Sequence, residues 1–248
     1  VAERLFQVIE RLAENGPMGI MDLSAELGFH KSTTHRLVTS LQYMGYIRQD
    51  EESLKYALSL KFLEIGSKIL EQTNMASLIH PSLKKLSEQT GETVHLVRRE
   101  GTEAVYIDKV ESTVSSIRMV SRVGSRIPLY CAGVGKALLA ELPDPEIEDI
   151  WNSSEITSLT PYTVTSLSDL MDRIRGVREA GYAMDDEENE EGVRCIAVSI
   201  PDYHKEPVYA LSISAPVSRM TDARIAELST DVLTFKKDLE KTLGFSRS

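Results

Sequence analysis

Cysteine is nearly absent from this chain of 248 residues: Cys131 and Cys195 are the two it has. Two cysteines make neither a disulfide framework nor a four-ligand metal site, and a reducing cytoplasm is the compartment such usage predicts. Long apolar runs are missing as well. No stretch approaches the roughly 20 residues that a membrane-spanning helix needs, and no signal peptide is visible. The chain begins at Val1 rather than Met, which leaves room for native residues upstream. The five histidines are scattered and form no ligand cluster, and no nucleophile stands beside an obvious base. No metal, no cofactor and no catalytic residue is therefore expected. Positive charge is in deficit: 28 Lys and Arg against 38 Asp and Glu leave −10, which argues against nucleic acid for the chain as a whole. One scarcity is local and points the other way. From Phe29 to Gln49 there is no acid, while Lys31, Arg36 and Arg48 give that window +3.

The acid-free window holds HKSTTHRLVTSLQYMGY at 30–46. Ser32, Thr33 and Thr34 suit a helix start. Leu37, Val38, Leu41 and Met44 then recur at the spacing of a helix with one buried face. The other face carries Lys31, Ser32, Thr34, His35, Arg36, Ser40 and Gln42, donors suited to phosphates and base edges. Upstream, residues 2–14 read as a helix through Leu5, Val8, Ile9 and Leu12, stopped by Gly16 and Pro17. A second helix runs from Ile20 to Phe29, with Asp22 near its start and Gly28 where a left-handed end is wanted. Helix, glycine turn, helix is a helix-turn-helix pattern. Tyr46–Gln49 and Leu54–Leu58 follow as strands around a turn at Asp50–Ser53, a hairpin that would make a wing. The DNA contacts expected are Lys31, Ser32, Thr33, Thr34, His35, Arg36 and Arg48, with Lys55 beside the last. A small three-helix domain with no nucleic-acid role remains the competing reading.

Residues 60–74 read as an amphipathic linker helix through Leu60, Leu63, Ile69 and Leu70, a face suited to dimer contacts, and a further helix runs from 75 to 89. The pattern then turns to strands: VHLVRRE and EAVYIDKVE around Glu100-Gly101-Thr102, then Ser116–Val120, Arg194–Ile200 and Val208–Ser214. Between them stand a loop at Gly124–Ile127 and helices at Gly135–Leu142, Pro145–Trp151 and Ser166–Ala180. Thr221–Leu243 is a long final helix. Residues 91–248 thus predict an α+β domain with a mostly antiparallel sheet. The organisation expected is 1–59 as a winged helix-turn-helix, 60–74 as linker, and 75–248 as a second domain.

Three segments of that second domain offer chemistry. Tyr130–Ala137, YCAGVGKA, is not a phosphate loop of the Walker kind, because Ala follows Lys136. Its glycines still open a helix with bare amides, which is either an anion site or a tight turn that needs glycine. Residues 181–189, GYAMDDEEN, are either a solvated acidic loop or a loop over a pocket; the alternation of a hard-cation loop is absent. Ser212 and Ser214 share one face of a strand, where they either clasp a carboxylate or sit as ordinary strand residues. Cys195 reads as a buried core thiol.

Taken together these segments resemble the IclR family of bacterial transcriptional regulators. The residues that carry the resemblance are LSAELGFHKSTTHRLVTSLQYMGYI in the head, PLYCAGVGKALLA at 128–140, GYAMDDEENEEGVRCIAVSI at 181–200 and ALSISAPVSRM at 210–220. The resemblance implies a winged helix-turn-helix, a linker helix and a C-terminal effector domain similar to the GAF fold. It implies a regulator and not an enzyme, with a repressor the sign expected, acting on operator DNA as a homodimer or homotetramer and answering to a small organic acid such as a 2-oxo acid or a sugar-derived keto acid. In members that bind short 2-oxo acids, the carboxylate meets the glycine segment and two serines, which here are Gly133, Val134, Ser212 and Ser214; Asp185 and Cys195 line the same pocket. Tyr130 departs from the pattern, standing where many members have His, so a pocket of different size or polarity is expected. The alternative is an enzyme or sensor of a small carboxylate that uses the helix-turn-helix only to dimerise.

Overall fold

The computed structural model describes residues 2–72, 75–112, 121–202 and 206–243, with backbone alone at 67 and 69–72. The expected strand at Ser116–Val120 lies outside the described residues, as do the side chains of Ile69 and Leu70. The chain divides into two compact units, Val1–Asn74 and Met75–Ser248.

The first unit begins with α1 (Ala2–Asn15), α2 (Ile20–Leu27) and α3 (Lys31–Tyr43). Val8, Leu12, Leu23, Leu37, Val38 and Leu41 come from the apolar stripes of these helices and make one core with Ile47 and Tyr56. Gly28 ends α2 at φ +66, and its N–H returns to the helix. That left-handed turn, which glycine enters without a Cβ clash, aims α3 across α2. A hairpin follows, β1 (Ile47–Gln49) with β2 (Tyr56–Leu58). Its turn is fastened by Asp50, whose Oδ1 accepts from the Ser53 N–H and hydroxyl. The helix α4 (Lys61–Gln72) closes the unit; Lys61 donates to the Met44 carbonyl and lies over the Tyr46 ring.

The second unit is built on one six-stranded antiparallel sheet of order β5-β4-β3-β8-β7-β6. Its strands are β3 (Thr93–Glu100), β4 (Glu103–Val110), β5 (Arg126–Pro128), β6 (Ala183–Asp186), β7 (Val193–Ile200) and β8 (Tyr209–Pro216). Strand alternation divides the sheet into two faces. Val94, Leu96, Ile196, Val198, Leu211 and Ile213 point to one face, against α5 (Met75–Thr90) and α9 (Asp222–Thr242). The opposite face carries small residues, Ala183, Ala197 and Ala210, and receives α6 (Gly133–Leu139), with α7 (Asp144–Asn152) and α8 (Leu167–Ala180) outside it. Small side chains under a short helix leave room for a cavity. The expected α+β architecture with an antiparallel sheet is therefore present. Two strands differ from the reading: β5 falls in the expected loop at 124–127, and β6 in the expected acidic loop.

Candidate effector cavity and nucleic-acid interface

The sheet register brings distant residues into two rows on the α6 face. Asp185 on β6 stands opposite Cys195 on β7, and Cys195 opposite Ser214 on β8. Two residues along, Ala197 stands opposite Ser212, and Ser212 opposite His95 on β3. The start of α6 descends onto these rows. Gly133 lies so close that a Cβ there would come within 3.3 Å of the Asp185 backbone N, and Gly135 so close that a Cβ would meet the Leu129 carbonyl at 2.1 Å. Gly135 is thus required for close packing and Gly133 sits tightly against β6, while Ala132, the residue that caps the helix, has no side-chain oxygen to take up the first-turn amides. Helix geometry gives those amides no carbonyl partner either.

Between helix and sheet is a narrow cavity with about 30 Å³ of free space for the centre of a water-sized molecule, room for a group of a few atoms and below the roughly 300–1,000 Å³ of formed small-ligand pockets. Gly133, Val134, Asp185, Cys195, Ser212 and Ser214 all line it, so the six positions named from sequence meet at one place. His95, Tyr106, Ser121, Asn189 and Glu190 line it too and were not anticipated. No Lys or Arg is among the described lining residues. The one lysine of the glycine segment, Lys136, is turned away and buried, with its ammonium 2.5 Å from Glu188 Oε1; both side chains are almost wholly enclosed. A carboxylate in this cavity would draw on neutral donors, amides at the start of α6 and hydroxyls of β8, within a lining that also carries the carboxyls of Asp185 and Glu190.

Burial governs the titratable groups here. Asp185 is pushed up to about 6 by loss of solvent, an effect moderated by the Lys136 charge and by N–H groups donated from Glu188 and Asn189. The Cys195 thiol is raised by burial, and Cys131 is pushed up to about 12 by the same cause. Both sulfurs stay protonated at neutral pH, which leaves neither activated as a nucleophile. His95 is held down at about 3 by burial and by the charge of Lys109, so its ring is neutral.

In the first unit, α3 presents Lys31, Ser32, His35 and Arg36 to solvent, and Thr33 is half-buried. Arg48 on β1 and Lys55 before β2 are exposed. Thr34 corrects the expectation. Its side chain has no exposure and packs among Leu37, Val38 and Leu41 on the buried stripe, so it cannot reach a duplex. Met44, expected on that stripe, lies at the helix end and is 40% exposed.

Comparison with known proteins decides what this pairing of parts belongs to. Residues 1–51 match the IclR helix-turn-helix domain, and residues 67–240 match the family described as Bacterial transcriptional regulator IclR C-terminal. The chain belongs to the IclR family of bacterial transcriptional regulators. Among IclR relatives, the Acetate operon repressor of Salmonella typhimurium is 36% identical over 247 residues, covering 98% of this chain and 90% of the relative. The Transcriptional repressor IclR of Escherichia coli is 35% identical over 247 residues with the same coverage, 98% and 90%. Among solved structures, the Thermotoga maritima IclR is 32% identical with a TM-score of 0.66, covering 98% of both chains. The Agrobacterium tumefaciens repressor BlcR is 26% identical with a TM-score of 0.79, covering 99% of this chain and 98% of that one.

Within the IclR frame two further corrections stand. Tyr130 does not line the cavity: it is buried, its hydroxyl is bonded to both backbone groups of Thr157, and its ring packs edge-on against Trp151. It fastens the 153–160 loop. The acidic segment is not a solvated loop. Asp185 is in strand β6, Glu188 is buried, and the Thr160 and Thr163 hydroxyls donate to the Glu187 and Glu188 carbonyls. Of the residues missed, His95 had a readable signal. It sits in the alternating run 93–97, and any pairing of that run with the Ser212–Ser214 strand puts it near the serines.

Proposed function

We propose that the chain is a transcriptional repressor whose operator affinity is set by a small organic acid, a 2-oxo acid or a sugar-derived keto acid, bound between α6 and the sheet. The observation that supports this best is the meeting of Gly133 and Val134, at the start of α6, with Ser212 and Ser214 of β8 on one cavity that has no Lys or Arg among its described lining residues. Such a site suits a small carboxylate, because several neutral donors share one charge, and the charge-assisted bonds formed are the strong kind. Asp185 and Cys195 border the same space and would meet the remainder of the ligand.

Operator contact is assigned to Lys31, Ser32, Thr33, His35 and Arg36 on α3 and to Arg48 on the wing. A small basic face on a chain of net charge −10 favours binding as a pair of heads over two half-sites. Leu60, just before α4, and Leu63 and Ile65 within it are exposed and support a homodimer.

The reading is tested by thermal melts against a panel of small organic acids, since a ligand that binds only the folded state raises Tm. A saturable rise is expected in the native chain and its loss in the Ser212→Ala, Ser214→Ala double variant, with the unliganded melt nearly unchanged. Equal affinity in the double variant, measured by calorimetry, would remove the carboxylate clasp.

A further inference from the structure

His95 lines the cavity and belongs to a chain of hydroxyls. It is 2% exposed and stands on β3 between Ser212 of β8 and Lys109 of β4. Its Nδ1 lies 3.4 Å from Ser212 Oγ and 3.3 Å from Ser214 Oγ, and the two serine oxygens are 3.3 Å apart. Its Nε2 lies 2.7 Å from Ser121 Oγ. The ring is neutral, so it carries one N–H, and the nitrogen that carries it decides what the serines can offer.

With the proton on Nε2, the ring donates to Ser121 and Nδ1 accepts. One serine then donates to Nδ1, the other donates to the first, and neither O–H is left for a ligand. With the proton on Nδ1, the ring donates to the two serine oxygens and Ser121 donates to Nε2; the ring then claims neither serine O–H, and both can turn to the cavity, Ser214 from its place beside the Cys195 sulfur. In a site where no lysine or arginine is among the described lining residues, an anion needs those two donors.

We propose that His95 is a positioning residue of the effector site: its neutral ring holds the Nε2–H tautomer in the free protein and passes to the Nδ1–H tautomer when a carboxylate binds, which turns Ser212 and Ser214 from a closed chain into a pair of donors. The inference rests on the effector reading above.

The experiment uses the full chain with nitrogen-15 histidine. Long-range proton–nitrogen correlation distinguishes the two tautomers, and the signals lost in His95→Phe identify the ring. The probes run from acetate and pyruvate to six-carbon 2-oxo acids. The expected result is an Nε2–H pattern without ligand and an Nδ1–H pattern at saturation. Calorimetry should show binding weakened about tenfold or more in His95→Phe, the scale of losing one or two hydrogen bonds to a charged group. His95→Asn, whose amide N–H can take the place of Nδ1–H, should recover most of that loss. A ring that keeps its proton on the same nitrogen with and without a bound acid, or a His95→Phe protein that binds as well as the native one, would overturn the inference and leave the effector reading intact. If no acid of the panel binds the native chain, the effector reading falls and the inference with it.

Discussion

Asp185 shows how a single buried carboxyl sets a pH dependence. Its folded pKa of about 6 lies above the ordinary value of 3.8, so the folded state holds the proton more tightly than the unfolded chain does. The stability it contributes is complete below about pH 4 and is lost as the pH rises through about 6. Above that the buried charge costs about 1–3 kcal/mol. Asp185→Asn removes the charge and keeps an oxygen for the Glu188 and Asn189 N–H groups. Its Tm should exceed that of the native chain by several degrees at pH 7.5, with the gap closing at pH 4; melts at the two pH values check this. Lys136 makes the opposite case. Its partner Glu188 is 1% exposed and already has one oxygen, Oε2, without a hydrogen-bond partner. Lys136→Met would leave that carboxylate uncompensated and should cost about 3–5 kcal/mol in denaturant unfolding. Replacing both, Lys136→Met with Glu188→Leu, should recover much of the loss, because the penalty comes from the orphaned charge.

At the scale of elements, α3 divides its work between two faces, and the division can be measured. Lys31→Ala with Arg36→Ala should weaken operator binding and lower the slope of log affinity against log salt by about two, one for each phosphate contact removed. Thr34→Ala should leave that slope unchanged and lower the stability of the first unit by about 1 kcal/mol, as a buried truncation does. Filter-binding or fluorescence titrations at several salt concentrations separate the two outcomes. Thr34 also marks how far sequence reading reaches. Sequence reading placed a helix over each of the nine helices among the described residues and found the long strands, by apolar spacing in several of the longer helices and by glycine, proline and capping boundaries in the rest. It missed the role of Thr34, since a threonine on the edge of an apolar stripe packs as well as it donates. It missed β5, with three residues too short to alternate. It read β6 as a loop because the run of four acids at 185–188 hides the strand's alternation, in which Ala183 and Asp185 turn inward. The site residues were legible through motif resemblance, while the Lys136–Glu188 pair and the His95 relay depend on sheet register and on contacts across 52 and 117 residues, which local spacing does not carry.

For the whole molecule the decisive relation is thermodynamic. The chain has one unit for DNA and another holding the cavity, and a regulator of this kind works only if occupancy of one changes the affinity of the other. Such coupling is a free energy shared by both sites, so it must appear with equal size in both directions. If the effector lowers operator affinity by some factor, saturating operator must lower effector affinity by the same factor, which for such couplings falls at about 5–150. The measurement is a pair of titrations on the full chain: operator with and without saturating acid, and acid with and without saturating operator. Equal ratios are expected. Ser212→Ala with Ser214→Ala should weaken acid binding while leaving operator affinity in the absence of acid unchanged, because the serines line the cavity of the second unit and the helix-turn-helix is in the first. Operator affinity that is the same at every acid concentration, in a chain that demonstrably binds both, would mean that the cavity does not report to the DNA-binding unit.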